Sequence, residues 1–86
     1  MADAPAWRVK ATKKGDWPIA IEKRTHHTVT CIRNVTGAEL LCTKLQDALG
    51  TGGYVRGNVV ELQGRHTDRC VAFLVAHLRH VSGLRG

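Results

Sequence analysis

The chain has 86 residues, with 13 Lys and Arg against 7 Asp and Glu and a formal net charge of +6. That length fits one domain and leaves no room for a two-lobed enzyme or a repeat array. With 43% apolar residues a packed core is within reach and wholesale disorder is excluded, while no apolar run approaches the ~20 residues of a bilayer span.

Residues 1–17 read as a flexible basic lead-in carrying Arg8, Lys10, Lys13 and Lys14, with a turn at Gly15-Asp16. Met1 to Trp7 lacks a basic stretch followed by an apolar one, so it does not read as a secretory signal. Trp7 and Trp17 are large enough to staple this segment to the domain, which is assigned to residues 18–86. Residues 18–24 alternate, Ile19 and Ile21 against Glu22 and Arg24, with Pro18 acceptable as a first strand residue. Residues 27–33 are rich in β-branched side chains and read as a second strand. The short polar link between the two predicts an antiparallel hairpin whose tip carries Lys23, Arg24, His26 and His27.

Thr36-Gly-Ala-Glu39 reads as a capping box opening a helix. Ala38, Leu41, Leu45 and Leu49, with Cys42 and Ala48, share one face of it, and Gly50 supplies the stop. After the loop Gly50-Thr-Gly-Gly53, Tyr54–Arg56 and Asn58–Gly64 read as two strands about a Gly57-Asn58 turn. Val60 and Leu62 point one way, Val59 and Glu61 the other. Thr67-Asp68 starts a second helix, in which Val71, Leu74, Leu78 and Val81 recur at helical spacing until Gly83.

The expected order is strand, strand, helix, strand, strand, helix. The predicted class is α/β, an α+β plait with both helices on one face of a mixed sheet, because each helix has a single apolar stripe to bury. The other sheet face is then polar and wet. With both helices spent on the sheet no large apolar face is left over, and a monomer is the default.

The positive charge concentrates in residues 8–33 and again in 56–86, which points to a polyanionic partner, nucleic acid before an anionic membrane. Only four aromatic residues are present and the strands hold just Tyr54, too few for a sheet that stacks unpaired bases. RNA contact is therefore expected through phosphates, each Lys or Arg contact releasing counterions and making affinity salt-dependent. The candidate contacts are Lys13, Lys14, Lys23, Arg24 and Arg33, then Arg56 and Arg65, with His26 and His27 as further donors to phosphate oxygens.

Little points to catalysis. Ser82, the single serine, lies outside any nucleophile turn. The Gly50–Gly53 loop lacks the Lys-Ser/Thr ending of a phosphate-cradling loop and follows a helix instead of preceding one. The acids Glu22, Glu39, Asp47, Glu61 and Asp68 are scattered. No enzyme, cofactor or small-molecule substrate is expected. Cys31, Cys42 and Cys70 form no CxxC and suit a reducing compartment. The pairs His66/Cys70 and His77/His80 read as ordinary residues and not as a metal site.

Over residues 18–81 the chain resembles the eukaryotic translation initiation factor 1 family, the suppressor-of-initiator-codon type. Leu49-Gly-Thr-Gly-Gly-Tyr-Val-Arg-Gly-Asn-Val-Val-Glu-Leu-Gln-Gly64 is similar to that family's glycine turn and the strand ending in Gln-Gly. Glu22-Lys-Arg24 and Phe73-Leu74 agree in order and spacing. The resemblance implies an open α/β sandwich, cytoplasmic work on the ribosome beside other initiation factors, binding to small-subunit ribosomal RNA near the decoding site, and help in selecting the start codon. It implies RNA contact from the first hairpin loop, here Lys23, Arg24, His26 and His27. The loop is shorter and less basic than usual in the family, Arg65 stands where an acid is frequent, and the lead-in with Trp7 and Trp17-Pro18 is atypical. The stretch from Trp17-Pro-Ile through Val29-Thr-Cys-Ile-Arg-Asn-Val-Thr-Gly37 also resembles a mitochondrial large-subunit ribosomal protein of the same fold, which implies a structural role in that compartment. A basic protein-interaction module is the remaining reading.

Overall fold

The computed structural model describes residues 5–85, an α+β fold of two helices and two sheets. The strands are β1 (Arg8–Lys10), β2 (Ile19–Lys23), β3 (Thr28–Ile32), β4 (Val35–Thr36), β5 (Gly53–Arg56), β6 (Val59–Gln63) and β7 (Val81–Ser82). The helices are α1 (Ala38–Leu49) and α2 (Thr67–Val75), the latter followed by a 3-10 turn at Leu78–His80.

β2, β3, β6 and β5 form the larger sheet in that order, and every pairing in it is antiparallel. The mixed pairing expected of the main sheet is found instead in a second, smaller one, where β1 runs antiparallel to β4 and parallel to β7. The reason is connectivity. The large sheet is two hairpins joined edge to edge through β3 and β6, and a hairpin is antiparallel by construction.

Cross-strand partners share a face. Ile19, Ile32, Val60 and Val55 therefore line one side of the large sheet, with Ile21, Thr30 and Leu62 beside them. α1 lies over β5 and β6, and α2 packs against α1 and β2. Ile32, Val60 and Leu62 join Leu41, Leu45 and Leu49 of α1 and Cys70 and Leu74 of α2 in one core. Thr30 is fully buried on this side; its hydroxyl donates to the Gly64 carbonyl at 2.7 Å and accepts from the His66 N–H at 2.9 Å, tying β3 to the start of α2.

Three expectations are corrected. Residues 1–17 are not simply a flexible lead-in. Met1 to Ala4 lie outside the described residues, but Trp7, Val9 and Ala11 are buried, and β1 is paired on both edges. The capping box at Thr36 and Glu39 does not form. Thr36 is a strand residue opposite Arg8, and the N-cap is Gly37, at φ 70° and without a side-chain cap. A Cβ at Gly37 would sit 2.1 Å from the Ala6 carbonyl oxygen, so the N-terminal segment passes where only glycine leaves space. Finally, the second helix stops at Val75 and not near Gly83. The His77 ring donates from Nδ1 to the Phe73 carbonyl at 2.8 Å, satisfying an end-of-helix acceptor. Val81 then pairs with Val9, leaving Leu78 half exposed.

Trp7 closes the small sheet onto the helices. Its ring is 1% exposed and stacks on His80 at 4.0 Å between centroids and 13° between planes. His80 Nδ1 donates to the Trp7 carbonyl at 2.9 Å. Phe73 and His77 stack on each other at 4.4 Å and complete the cluster around Trp7.

Candidate nucleic-acid interface

The side of the large sheet away from the helices carries most of the sheet's charged groups, over buried Val29, Cys31 and Glu61. Strand alternation places Glu22 on β2, Cys31 on β3, Val59 and Glu61 on β6, and Tyr54 and Arg56 on β5 on this side. Arg24 and Arg33, each one step beyond its strand, reach back onto it. Together these groups line a shallow depression of about 250 Å³ formed by Glu22, Arg24, Cys31, Arg33, Arg56, Val59 and Glu61.

Two carboxylates organise three guanidinium groups. Arg24 donates from Nη1 to Glu22 and from Nη2 to Glu61 Oε1 at 2.8 Å. Arg33 donates to the other oxygen of Glu22. Arg56 donates to Glu61 Oε2 at 3.3 Å, and the Tyr54 hydroxyl donates to Glu61 Oε1 at 2.7 Å. The Glu61 side chain is only 4% exposed, against 27% for Arg24, 50% for Arg33 and 66% for Arg56.

The electrostatics follow from these contacts. Burial pushes the Glu61 carboxyl up, but hydrogen bonds from Tyr54 and Arg24 and the charges of Arg24 and Arg56 outweigh it, and the net direction is down. At Glu22 the hydrogen bond from Arg24 holds the carboxyl below its ordinary value against some desolvation, aided by the charges of Arg24 and Arg33. The same pairing pushes Arg24 up, first through Glu22. Tyr54 is also raised, chiefly by its hydrogen bond to Glu61. Both carboxylates are thus charged at neutral pH and gather the arginines around them.

This arrangement sorts the sequence-derived candidates. Arg24, Arg33 and Arg56 are brought together. Arg24 is not a group of the hairpin tip: it lies back on the sheet with two carboxylate partners. The reversal itself is tight, closed by the Arg24 N–H to the His27 carbonyl at 2.7 Å. Lys23, His26 and His27 are exposed there. Lys13 and Lys14 are exposed on the turn after β1, held by Thr12 N–H to Asp16 and Gly15 N–H to Thr12. Arg65 is exposed beside the start of α2, lining a separate depression with Ile21, His66 and Asp68.

Sequence reasoning missed the organising residues. Glu22 and Glu61 read as scattered acids and Tyr54 as a lone aromatic. The signal was present in their alternation: Glu22 shares a strand face with Arg24, and Glu61 points opposite to Val60 and Leu62. What was missing was the register that sets Glu61 opposite both Cys31 and Tyr54.

Among the described residues no group of three or more His, Cys, Asp or Glu is placed to hold a metal ion. His66, His77 and His80 each have a ring nitrogen on a backbone carbonyl. Cys70 is fully buried in the core, and burial pushes its thiol up to about 11, with the Arg69 charge opposing. Among the described residues no helix is long and apolar enough to cross a membrane. A scan against protein-family models finds no match, and a search of curated proteins returns no similar sequence.

Chemically, the face away from the helices offers guanidinium donors. Each arginine carries five N–H donors, and a carboxylate occupies at most two of them. Arg33 and Arg56, the two most exposed, each spend one N–H on a carboxylate and have further donors for a ligand. Guanidinium groups of this kind pair with carboxylates and phosphates through their planar fork.

Proposed function

We propose that this chain is an initiation-factor-like protein that binds ribosomal RNA of the small subunit near the decoding site and assists start-codon selection, without a catalytic step or cofactor. The observation that carries this reading is the pair Arg33 and Arg56, exposed on the sheet face away from the helices and paired with Glu22 and Glu61. His26 and His27 are further exposed donors at the reversal, while alternation turns the exposed Lys23 to the helix side of the sheet, away from Glu22. The stretch β2, β3, α1, β5, β6, α2, with β4 interposed and β1 and β7 outside it, supports the resemblance to the initiation factor 1 family. On this reading the protein is cytoplasmic, monomeric off the ribosome, and works beside other initiation factors.

Sedimentation of the full chain with ribosomal subunits at two salt concentrations tests the reading. The chain cosediments with small subunits at low salt and leaves at moderate salt. An Arg33→Gln, Arg56→Gln variant binds more weakly with a flatter salt dependence. Unchanged binding by that variant removes the sheet face from the mechanism, and indifference to ribosomes removes the reading.

A second reading, a structural protein of the mitochondrial large subunit, is favoured by the lead into β2. Trp17 packs against the core and the Pro18 carbonyl accepts from the Arg33 N–H at 2.8 Å, so the Trp-Pro motif of that resemblance is built into the domain. Retention on large subunits through a high-salt wash decides for it.

A further inference from the structure

We propose that the outer face of the small sheet is a second phosphate-binding surface, which takes the sugar-phosphate backbone of RNA. This rests on the reading that the partner is RNA, and adds a site on a different sheet built from different residues.

Val9 is fully buried, so alternation along β1 turns Arg8 and Lys10 to the opposite, solvent side. Register supplies their neighbours. Thr36 of β4 stands opposite Arg8, and Ser82 of β7 stands opposite Lys10. These four side chains and Asn34 line a depression of about 300 Å³. Asn34 adopts φ 58° and its Nδ2 donates to the Lys10 carbonyl at 3.2 Å, which fixes the corner between β1 and β4.

The chemistry differs from that of the large sheet. There, two carboxylates answer three arginines. Here every lining side chain can donate, and no carboxylate of residues 5–85 lines the depression. Lys13, Lys14 and Asp16 are exposed on the turn after β1 and do not line the depression. Arg8 and Lys10 are separated by two residues of strand, roughly 6.8 Å, which lets them serve separate phosphates of one strand. Two hydroxyls, one beside each cation, can donate to the same oxygens. None of the lining residues is apolar, and a lipid surface asks for apolar groups to insert alongside the cations. A polyanion without such a requirement is the better fit.

The test follows the full chain by backbone amide resonances during titration with a labelled 12-nucleotide single-stranded RNA, and in parallel with inorganic phosphate. Anisotropy of the same RNA gives affinity against salt. RNA is expected to shift the amides of Thr36 and Ser82. An Arg8→Gln, Lys10→Gln variant loses about 1.4 from the slope of log K against log salt, at ~0.7 per phosphate contact on a single strand. Both positions are exposed, and retention of the wild-type helical signal confirms that the variant folds. If that slope is unchanged while the Arg33→Gln, Arg56→Gln variant flattens it, the small-sheet surface is overturned and the proposed function stands. If inorganic phosphate moves these amides and RNA does not, the surface is a free-anion site and the proposal fails. If the wild-type chain binds no RNA, both readings fall together.

Discussion

The large sheet is two hairpins of sequence neighbours, β2 with β3 and β5 with β6, joined by one non-local pairing of β3 with β6, whereas the small sheet holds no hairpin and joins residues 8–10, 35–36 and 81–82. A hairpin closes a short loop at little entropic cost, and its pattern is written locally in alternation and turn residues. In the small sheet the β1–β7 pairing spans most of the chain, while β1–β4 spans about as much sequence as the β3–β6 pairing that joins the two hairpins of the large sheet. Its three short strands are fixed by what they hold in place: Val9 and Val35 in the core and Trp7 against His80. Local pattern specifies the first kind of sheet. Burial of a few large side chains specifies the second, and variants can separate the two.

The largest effect is expected from Trp7→Ala. Removing a buried tryptophan costs about 3–5 kcal/mol, a large share of the ~5–15 kcal/mol that holds a small domain together. Chemical denaturation followed by far-UV circular dichroism should still show one transition, shifted to lower denaturant. Two separated transitions would mean that the small sheet is an appendage and that the comparison is between independent parts.

Glu61→Gln comes next and strikes the large sheet. Loss of hydrogen bonds to a buried charged acceptor costs about 1.5–3 kcal/mol. The pH dependence has a definite sign. Because the folded carboxyls of Glu22 and Glu61 titrate below their ordinary value of 4.5, their stabilisation is full above that value and is lost as pH falls through the lower folded one. Denaturation midpoints measured from pH 7 to pH 2 should fall on the acid side, and more shallowly in Glu61→Gln. An identical acid limb in the variant would show that Glu61 contributes nothing through its charge.

His80→Ala returns to the small sheet with a milder loss of about 1–2 kcal/mol, from one stacked ring and one hydrogen bond. Faster hydrogen exchange at Val9 and Lys10, with exchange on β3 unchanged, would place the loss in the small sheet. Uniform acceleration would couple the two sheets fully.

The same contrast explains how far the sequence could be read. The alternation at Ile19, Ile21 and Glu22, the β-branched run from Thr28, the Leu41, Leu45 and Leu49 stripe and the Val60 and Leu62 pair each place an element within a residue or two of its observed limits. Thr36 misled because its capping signature is local while its actual partner, Arg8, lies 28 residues earlier in the chain. Leu78 and Val81 continued a helical period past Val75, but strand pairing with Val9 took Val81 out of the helix. At the candidate site the cations were legible as charge, and their arrangement was not. Whether an arginine at a hairpin faces a ligand or its own sheet depends on cross-strand register, which no stretch of sequence displays by itself.

The smallest effect on stability and the most informative one on function comes from Arg33→Gln set beside Arg24→Gln. Arg24 bridges both carboxylates and is 27% exposed, whereas Arg33 is 50% exposed and bonded only to Glu22. Exposed single pairs contribute little to folding, so Arg33→Gln should leave the melting temperature where it is and weaken RNA binding. Arg24→Gln leaves Glu61 with less of its compensation, so it should lower the melting temperature and change the salt dependence of RNA binding less. The reversed pattern, with Arg24 governing RNA affinity and Arg33 governing stability, would mean that the Arg24 side chain leaves its glutamates when RNA arrives. The glutamates would then compete with phosphate for that arginine instead of holding it.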